Sequence, residues 1–166
     1  MSLLLSLLGV LMGPYLLLTL VAWCVPALSL SQRNRMKVGV SLLFLISGSA
    51  HFTVTAQMAS MIPPVFPWHV GLVYATGIFE LLGAVGIWVR PVARLAGLCL
   101  ILLLIAVFPA NVYAALHYMP IAGHDMGPRY LLIRMPFEVL LIVWIYLATG
   151  QSWFTVPRRV PPHAQA

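Results

Sequence analysis

Five side chains that could carry acid–base or binding chemistry lie inside apolar stretches of the sequence. They are His51, Glu80, Asn111, Arg134 and Glu138. An ionisable group in a bilayer costs about 2.5–3.5 kcal/mol even on the insertion scale, so such residues usually face other helices and have a function. A histidine beside carboxylates can donate and accept protons, while amide and guanidinium groups can bind carbonyl oxygens or anions. These residue types predict one buried polar site.

Small residues flank Glu80 at helical spacing. Thr76 and Gly77 precede it by about one turn, and Gly83 and Ala84 follow it by the same distance. Small residues allow a second helix to approach closely inside a membrane. Glu80 is therefore predicted to face protein rather than lipid.

Arg134 and Glu138 lie one helical turn apart and can form an ion pair. Pro136 lies between them, and Pro109 lies beside Asn111. Each proline frees a backbone carbonyl one turn earlier, which protein or water must satisfy inside a membrane. The sequence thus predicts a small cavity beside these polar residues.

The composition places these residues in lipid. Of 166 residues, 62 % are hydrophobic and 7 % are charged, against about 45–50 % and about 25 % in soluble domains. A soluble enzyme, a nucleic-acid-binding domain and a disordered chain are excluded. The net charge of +6 comes from basic residues between apolar runs. Such charges record membrane orientation, so the partner they indicate is the bilayer and no nucleic acid is expected.

Five stretches have the length and apolarity of membrane spans, which need about 17–25 residues each. The first, within 1–28, lacks the basic region of a signal peptide and is predicted to be a retained additional helix. The fold class is therefore an all-α polytopic membrane protein with five spans. The predicted spans are 2–25, 38–62, 69–90, 93–118 and 130–150.

The basic residues orient these spans. With the N-terminus outside, the outer side receives only Arg129, while Arg134 lies inside the last span. The polar residues then fall in the middle or outer half of their spans. The tail 151–166 is then cytoplasmic and is predicted to be partly disordered. The inner side receives Arg33, Arg35, Lys37, Arg90, Arg94, Arg158 and Arg159.

The other reactive residues form no motif. His117, His124 and Asp125 lack the spacing of a metal site, so no metal is predicted. Cys24 and Cys99 are far apart and form no C-x-x-C motif. We expect both cysteines to be buried and to act as small hydrophobic residues.

Several motifs, taken in order, resemble the DoxX/DoxD-like family of integral membrane proteins, over about 38–150. The motifs are Gly-Ser-Ala-His-Phe at 48–52, Met-Ile-Pro-Pro at 61–64, Tyr-Ala-Thr-Gly-Ile-Phe-Glu-Leu-Leu-Gly at 74–83, Phe-Pro-Ala-Asn-Val-Tyr-Ala-Ala-Leu at 108–116 and Ile-Arg-Met-Pro-Phe-Glu at 133–138.

The resemblance implies an antiparallel four-helix bundle over 38–150 with His51, Glu80, Asn111 and Arg134 facing inward, and the first span is additional to it. Glu138 stands where members of that family often have glutamine. Proteins of that family are associated with thiosulfate–quinone oxidoreductase and with membrane complexes that handle oxidative stress. A bacterial cytoplasmic (inner) membrane is the implied location, with the C-terminus in the cytoplasm.

The first functional hypothesis is a component of a membrane redox system that binds a quinone or another small molecule. His51 would donate or accept protons and Glu80 would orient it or accept protons, so these two are the catalytic candidates. Asn111, Arg134 and Glu138 would bind the ligand. The sequence carries no haem pair, flavin fold or cysteine pair, so electrons would require a redox partner protein. Whether the chain is itself an enzyme stays open.

Two alternatives belong to other classes. A transporter for a small solute or protons is less favoured, because the inner half of the spans has no polar path and no inverted repeat is visible. In a scaffold or assembly factor, the buried charges would only hold helices together and the first helix would dock a partner.

Overall fold

The computed structural model describes residues 2–25, 30–120 and 124–150, with side chains from residue 5 onward. Within these ranges the chain is helical and contains no strand. The predicted disordered tail, 151–166, lies outside the described residues. The helices are α1 (Ser2–Cys24), α2 (Gln32–Thr53), α3 (Thr55–Ser60), α4 (His69–Gly86), α5 (Ala93–Leu116) and α6 (Pro128–Thr149), with a short 3₁₀ helix at His124–Met126 before α6.

Five of these helices are long and apolar enough to cross a membrane, namely α1, α2, α4, α5 and α6. The shortest, α4, has 18 residues, which at about 1.5 Å per residue nearly spans the hydrocarbon core. The prediction of an all-α chain with five candidate membrane spans is confirmed.

The start of the second span differs from the prediction. Helix α2 begins at Gln32, six residues before the predicted start of the second span at residue 38. The Ser31 side chain accepts a hydrogen bond from the Asn34 amide at 3.3 Å and caps the helix. A local capping interaction therefore extends the helix beyond its apolar part.

The end of the second span also differs. The prediction of one helix over 38–62 is wrong because the helix breaks at Val54 and resumes as α3. The Thr55 hydroxyl donates to the His51 carbonyl at 2.6 Å across this break. His51 consequently lies two residues before the end of α2 rather than deep within a longer helix.

Four helices contact each other in a cycle, in which α2 and α5 each contact both α4 and α6. These contacts pair the start of one helix with the end of its neighbour. The Ser41 hydroxyl early in α2 donates to the Ala84 carbonyl late in α4 at 2.8 Å, and the Trp144 indole late in α6 donates to the Met36 carbonyl at 3.2 Å. We call the end of the molecule where α2 finishes and α6 begins the His51 end, and the opposite end the Arg35 end.

Glycines bring α2 and α4 close together at the His51 end. A Cβ on Gly77 would come within 2.6 Å of the His51 Cβ and 3.2 Å of the Gly48 carbonyl oxygen. Six residues further along α4, a Cβ on Gly83 would collide with the Leu100 side chain of α5. The small face around Glu80 therefore serves two neighbouring helices.

Helix α1 packs mainly on α2. Gly39 of α2 lies against the backbone of Leu11, which is fully buried. The Tyr15 ring meets the Trp144 ring edge-on at 5.4 Å between centroids. The other described side chains of α1 are exposed or half-buried and mostly apolar, as suits a helix that faces lipid.

Candidate functional site

His51 and Glu80 form an ion pair between α2 and α4. The His51 Nε2 atom lies 3.5 Å from Glu80 Oε1, and the two side chains are 13 % and 8 % exposed. Gly77 makes the pair possible, because its missing side chain leaves room for the base of His51 one turn before Glu80.

The partners of the His51 ring fix where its hydrogens lie. Nδ1 is 2.9 Å from the Val73 carbonyl oxygen, which can only accept, so Nδ1 carries a hydrogen. The Thr76 hydroxyl lies 3.1 Å from the same nitrogen and donates to the Leu72 or Val73 carbonyl at 3.0 or 2.9 Å. If the ring were neutral and the Glu80 carboxylate ionised, the unprotonated Nε2 of His51 would face a carboxylate oxygen. The lone pairs of these two atoms would then repel each other. The pair therefore holds one proton between the two side chains.

Arg134 and Glu138 form a second ion pair on α6, with 3.3 Å between Arg134 Nη2 and Glu138 Oε2. The side chains are 16 % and 7 % exposed. The Arg134 guanidinium lies 5.8 Å from the centre of the Phe137 ring. The cation is thus held by groups of its own helix.

Both ion pairs are buried on helices of the same cycle. Helices α4 and α6 occupy opposite positions in that cycle, and none of the four side chains is more than 16 % exposed. We call His51, Glu80, Arg134 and Glu138 the central polar cluster. With one proton on the His51–Glu80 pair, its two cations and two anions give no net charge.

Four polar atoms of the cluster keep unused hydrogen-bonding capacity. Among the described residues, Glu80 Oε2, Arg134 Nε and both oxygens of Glu138 are buried and have no hydrogen-bond partner. Of these, Glu138 Oε2 faces Arg134 Nη2 in the ion pair, which leaves Glu80 Oε2, Glu138 Oε1 and Arg134 Nε without a charged partner of their own. Glu80 and Glu138 as whole residues are only 6 % and 5 % exposed. Buried polar groups are nearly always paired because an unpaired one is costly. These atoms are therefore the places where a bound molecule could add contacts.

Asn111 is not joined to this cluster within the described part of the chain. It is half-buried on α5, and its amide donates to the Val107 carbonyl of its own helix at 3.3 Å. The structure thus brings together four of the five polar residues singled out from the sequence and leaves Asn111 with a local bond.

Two further contacts, one at His51 and one at the start of α6, were not predicted from the sequence. Thr76 was noted only as a small residue, yet its hydroxyl touches the His51 ring. His124 was expected in a loop, but it is 1 % exposed and its ring lies 4.4 Å from that of Tyr130.

The remaining reactive residues lie elsewhere. His117 is exposed and stacks on Tyr113 at 4.0 Å between ring centroids. Within 2–25, 30–120 and 124–150, no group of three potential metal ligands occurs. Cys24 and Cys99 are exposed, so the expectation that they are buried is wrong. Helix faces that meet lipid can carry such weakly polar side chains without burial in protein.

An apolar groove of about 360 Å³ lies between α1 and α6. Its lining differs from the predicted cavity, because it contains none of the four residues of the central polar cluster. Phe137 connects the two features, since it lines the groove and also lies beside the Arg134 guanidinium. The lining residues are Leu8, Leu132, Ile133, Pro136, Phe137 and Leu140.

The fold and the cluster define a helical protein with five candidate membrane spans and a buried, charge-balanced site. The chain belongs to the family described as Domain of unknown function (DUF8561), which matches residues 40–149. Neither the comparison with curated proteins nor that with solved structures finds a match. The family description assigns no activity, so the resemblance to DoxX/DoxD-like proteins stays a prediction.

Proposed function

We propose that this protein binds a quinone or a similar lipid-soluble small molecule at the central polar cluster, as a component of a membrane redox system. One observation carries the proposal. A cluster that only held helices together would pair its polar atoms with each other, whereas Glu80, Glu138 and Arg134 each keep a buried atom unpaired among the described residues.

The roles follow from the contacts. His51 and Glu80 would exchange protons with the ligand, since their side chains hold one proton between them. Arg134 and Glu138 would bind polar groups of the ligand through Arg134 Nε and Glu138 Oε1. Asn111 would join them by turning away from the Val107 carbonyl.

The apolar groove between α1 and α6 suits the tail of such a ligand. Phe137 lines this groove and also lies beside the Arg134 guanidinium, so a polar head at the cluster and an apolar tail in the groove would lie next to each other. The helix break at Val54 and the proline at Pro136 weaken the helices near the cluster. We propose that the head group enters there.

For the membrane, we propose that α2, α4, α5 and α6 form an antiparallel bundle with the N-terminus of the chain outside. The support is the charge at the Arg35 end, where the positive-inside rule places the cytoplasm. A bacterial cytoplasmic membrane, with the C-terminus inside, fits this orientation. The basic residues described at that end are Arg33, Arg35, Lys37, Arg90 and Arg94.

The test is ligand binding by the purified protein in lipid nanodiscs. A short-chain ubiquinone or ubiquinol is titrated while tryptophan fluorescence or heat is recorded. We expect saturable binding that is lost in the variant carrying both His51→Ala and Glu80→Gln. The control is Asp125→Asn, which changes an exposed acid outside the cluster and is expected to bind like the unaltered protein. Binding by the double variant equal to that of the unaltered protein would exclude this site.

A scaffold role is the second candidate, favoured by the exposure of α1. The side chains of Leu16, Leu17, Leu20 and Trp23 are each more than half exposed on a helix that packs mainly on α2. Affinity capture from membranes with the full chain and with a chain lacking residues 1–28 tests this role. Capture of the same proteins by both chains would count against docking through α1.

A further inference from the structure

We infer that the central polar cluster binds a neutral molecule that donates hydrogen bonds through two hydroxyl groups, of the hydroquinone class, in preference to an oxidised quinone or an oxyanion. The inference rests on the proposed function, because it specifies the ligand of the same site. The observations behind it are the charge balance of the cluster and the chemical identity of its unpaired atoms.

The charge balance selects a neutral ligand. The His51–Glu80 pair with its one proton carries no net charge, and neither does the Arg134–Glu138 pair. An added anion or cation would have no counter-charge among these four buried side chains. An uncompensated charge in a water-poor interior is very costly, and a neutral molecule avoids that cost.

The unpaired atoms select hydrogen-bond donors. Glu80 Oε2 and Glu138 Oε1 are carboxylate oxygens, which accept hydrogen bonds when ionised. The carbonyl oxygens of an oxidised quinone also only accept, so they would place lone pairs against lone pairs. Hydroxyl groups donate to carboxylates, and such charge-assisted bonds are stronger than bonds between neutral groups.

Arg134 adds a hydrogen-bond donor to the two carboxylate acceptors. Its Nε–H is a buried donor without a partner among the described residues, and a hydroxyl oxygen can accept from it while donating its own hydrogen elsewhere. Glu80 and Glu138 stand on helices at opposite positions in the cycle. We therefore assign one hydroxyl group of the ligand to each of the two carboxylates.

The proton on the His51–Glu80 pair does not change this selection. His51 Nε2 faces Glu80 Oε1, so the shared proton lies at that oxygen and not at Oε2. The second oxygen of Glu80 stays an acceptor whichever partner holds the proton more tightly. The site thus offers two acceptors and one donor in either arrangement.

The experiment compares three probes with the same short prenyl tail on the full-length protein in nanodiscs without oxygen. They are a hydroquinone, its oxidised quinone and its dimethyl ether, which lacks both O–H donors. We expect the hydroquinone to bind at least about tenfold tighter than each of the others, since a buried acceptor left without a donor loses roughly this factor or more. Sulfate, as the oxyanion probe, is expected not to displace it.

The outcomes separate this inference from the proposed function. Oxidised quinone or dimethyl ether binding as tightly as the hydroquinone would overturn the donor preference and leave the proposed function standing. Displacement by sulfate would overturn the selection of a neutral ligand. Binding of none of the three prenylated probes would overturn the proposed function, and the inference with it.

Variants test whether Glu80 is responsible for the preference for hydroquinone. Glu80→Gln removes the negative charge and replaces one carboxylate oxygen with an NH2 group. One of the two charge-assisted bonds to the ligand is then lost, so we expect the preference for hydroquinone over dimethyl ether to fall at least several-fold. Asp125→Asn, which changes an exposed acid of the 3₁₀ helix, is expected to keep the full preference. If Glu80→Gln fails to fold, the three-probe comparison on the unaltered chain still decides the inference. A full preference in folded Glu80→Gln protein would overturn the assigned role of Glu80.

Discussion

The Cβ atom of His51 packs directly against Gly77, because a Cβ atom added to Gly77 would come within 2.6 Å of it. The same added atom would lie 3.2 Å from the Gly48 carbonyl oxygen. Because Gly77 has no side chain, α2 and α4 lie close enough for the His51 ring to contact both the Val73 carbonyl and the Glu80 carboxylate. The position of the imidazole therefore depends on a glycine in the neighbouring helix.

Gly77→Ala should consequently disturb both stability and the site. The extra methyl group must push α2 away, and overpacking of this kind costs about 1–3 kcal/mol. We expect a lower unfolding temperature in detergent and weaker ligand binding. Gly71→Ala is the control on the same helix, because its nearest neighbour is the Trp68 Cβ at an ordinary 3.7 Å. Equal effects of the two substitutions would show that the contact with His51 is not the cause.

The Arg134–Glu138 pair should behave as a coupled unit. Glu138→Leu leaves the Arg134 cation without its partner, and breaking a buried pair in this way costs about 3–5 kcal/mol. Replacing both residues, as Arg134→Met with Glu138→Leu, should restore most of the stability. Arg129→Met, at an exposed position near the start of the same helix, is expected to be nearly neutral. Additive effects of the two single substitutions in denaturant unfolding would exclude coupling.

The apolar pattern of the sequence was enough to predict the five long helices, because length and hydropathy decide what can span a bilayer. The break at Val54 could not be predicted in this way. It depends on side-chain hydroxyls, such as that of Thr55, which satisfies the His51 carbonyl. Apolar windows do not register such local bonds, and the same holds for the Ser31 cap that starts α2 early.

For the candidate site, ionisable residues inside apolar stretches were a sufficient signal for His51, Glu80, Arg134 and Glu138. Their cost in lipid requires them to meet each other. The bond of Asn111 could not be predicted, because an amide can be satisfied by a carbonyl of its own helix, as Val107 shows. Helical spacing gives the face of a residue but not which of several acceptors it uses.

Ser41 offers a prediction at the Arg35 end of the α2–α4 contact. Its hydroxyl accepts from the Trp88 indole at 2.7 Å and donates to the Ala84 carbonyl at 2.8 Å. Ser41→Ala should lower the free energy of unfolding by about 1–3 kcal/mol, because two hydrogen bonds, each worth about 0.5–1.5 kcal/mol, are lost. Ser49→Ala, at an exposed position on the same helix, should change it by less than about 0.5 kcal/mol. Similar losses at both positions would contradict the assigned bond.

The hydrogen positions on His51 can be read by nitrogen NMR on protein labelled at histidine. The bond from Nδ1 to the Val73 carbonyl predicts that Nδ1 carries a hydrogen. We expect Nε2 to carry or share the proton in the unaltered protein and to lose it in Glu80→Gln, because the amide of glutamine can donate to a bare nitrogen. The His51 resonance is identified as the one that disappears in a His51→Asn variant, and this resonance must show the change. A His51 ring protonated only at Nε2 would refute the shared-proton arrangement.

The proposed orientation can be tested with the cysteines of the chain. Cys24 ends α1 at the Arg35 end, and both cysteines are exposed. With Cys99 replaced by alanine, a membrane-impermeant maleimide should label Cys24 in inverted membrane vesicles but not in intact cells, since the positive-inside rule places this end in the cytoplasm. A matched variant with both native cysteines replaced by alanine and Val65→Cys should show the opposite pattern, because Val65 lies in the connection at the His51 end and is 80 % exposed. Labelling of Cys24 from outside intact cells would reverse the proposed orientation and place the His51 end, with its polar cluster, toward the cytoplasm.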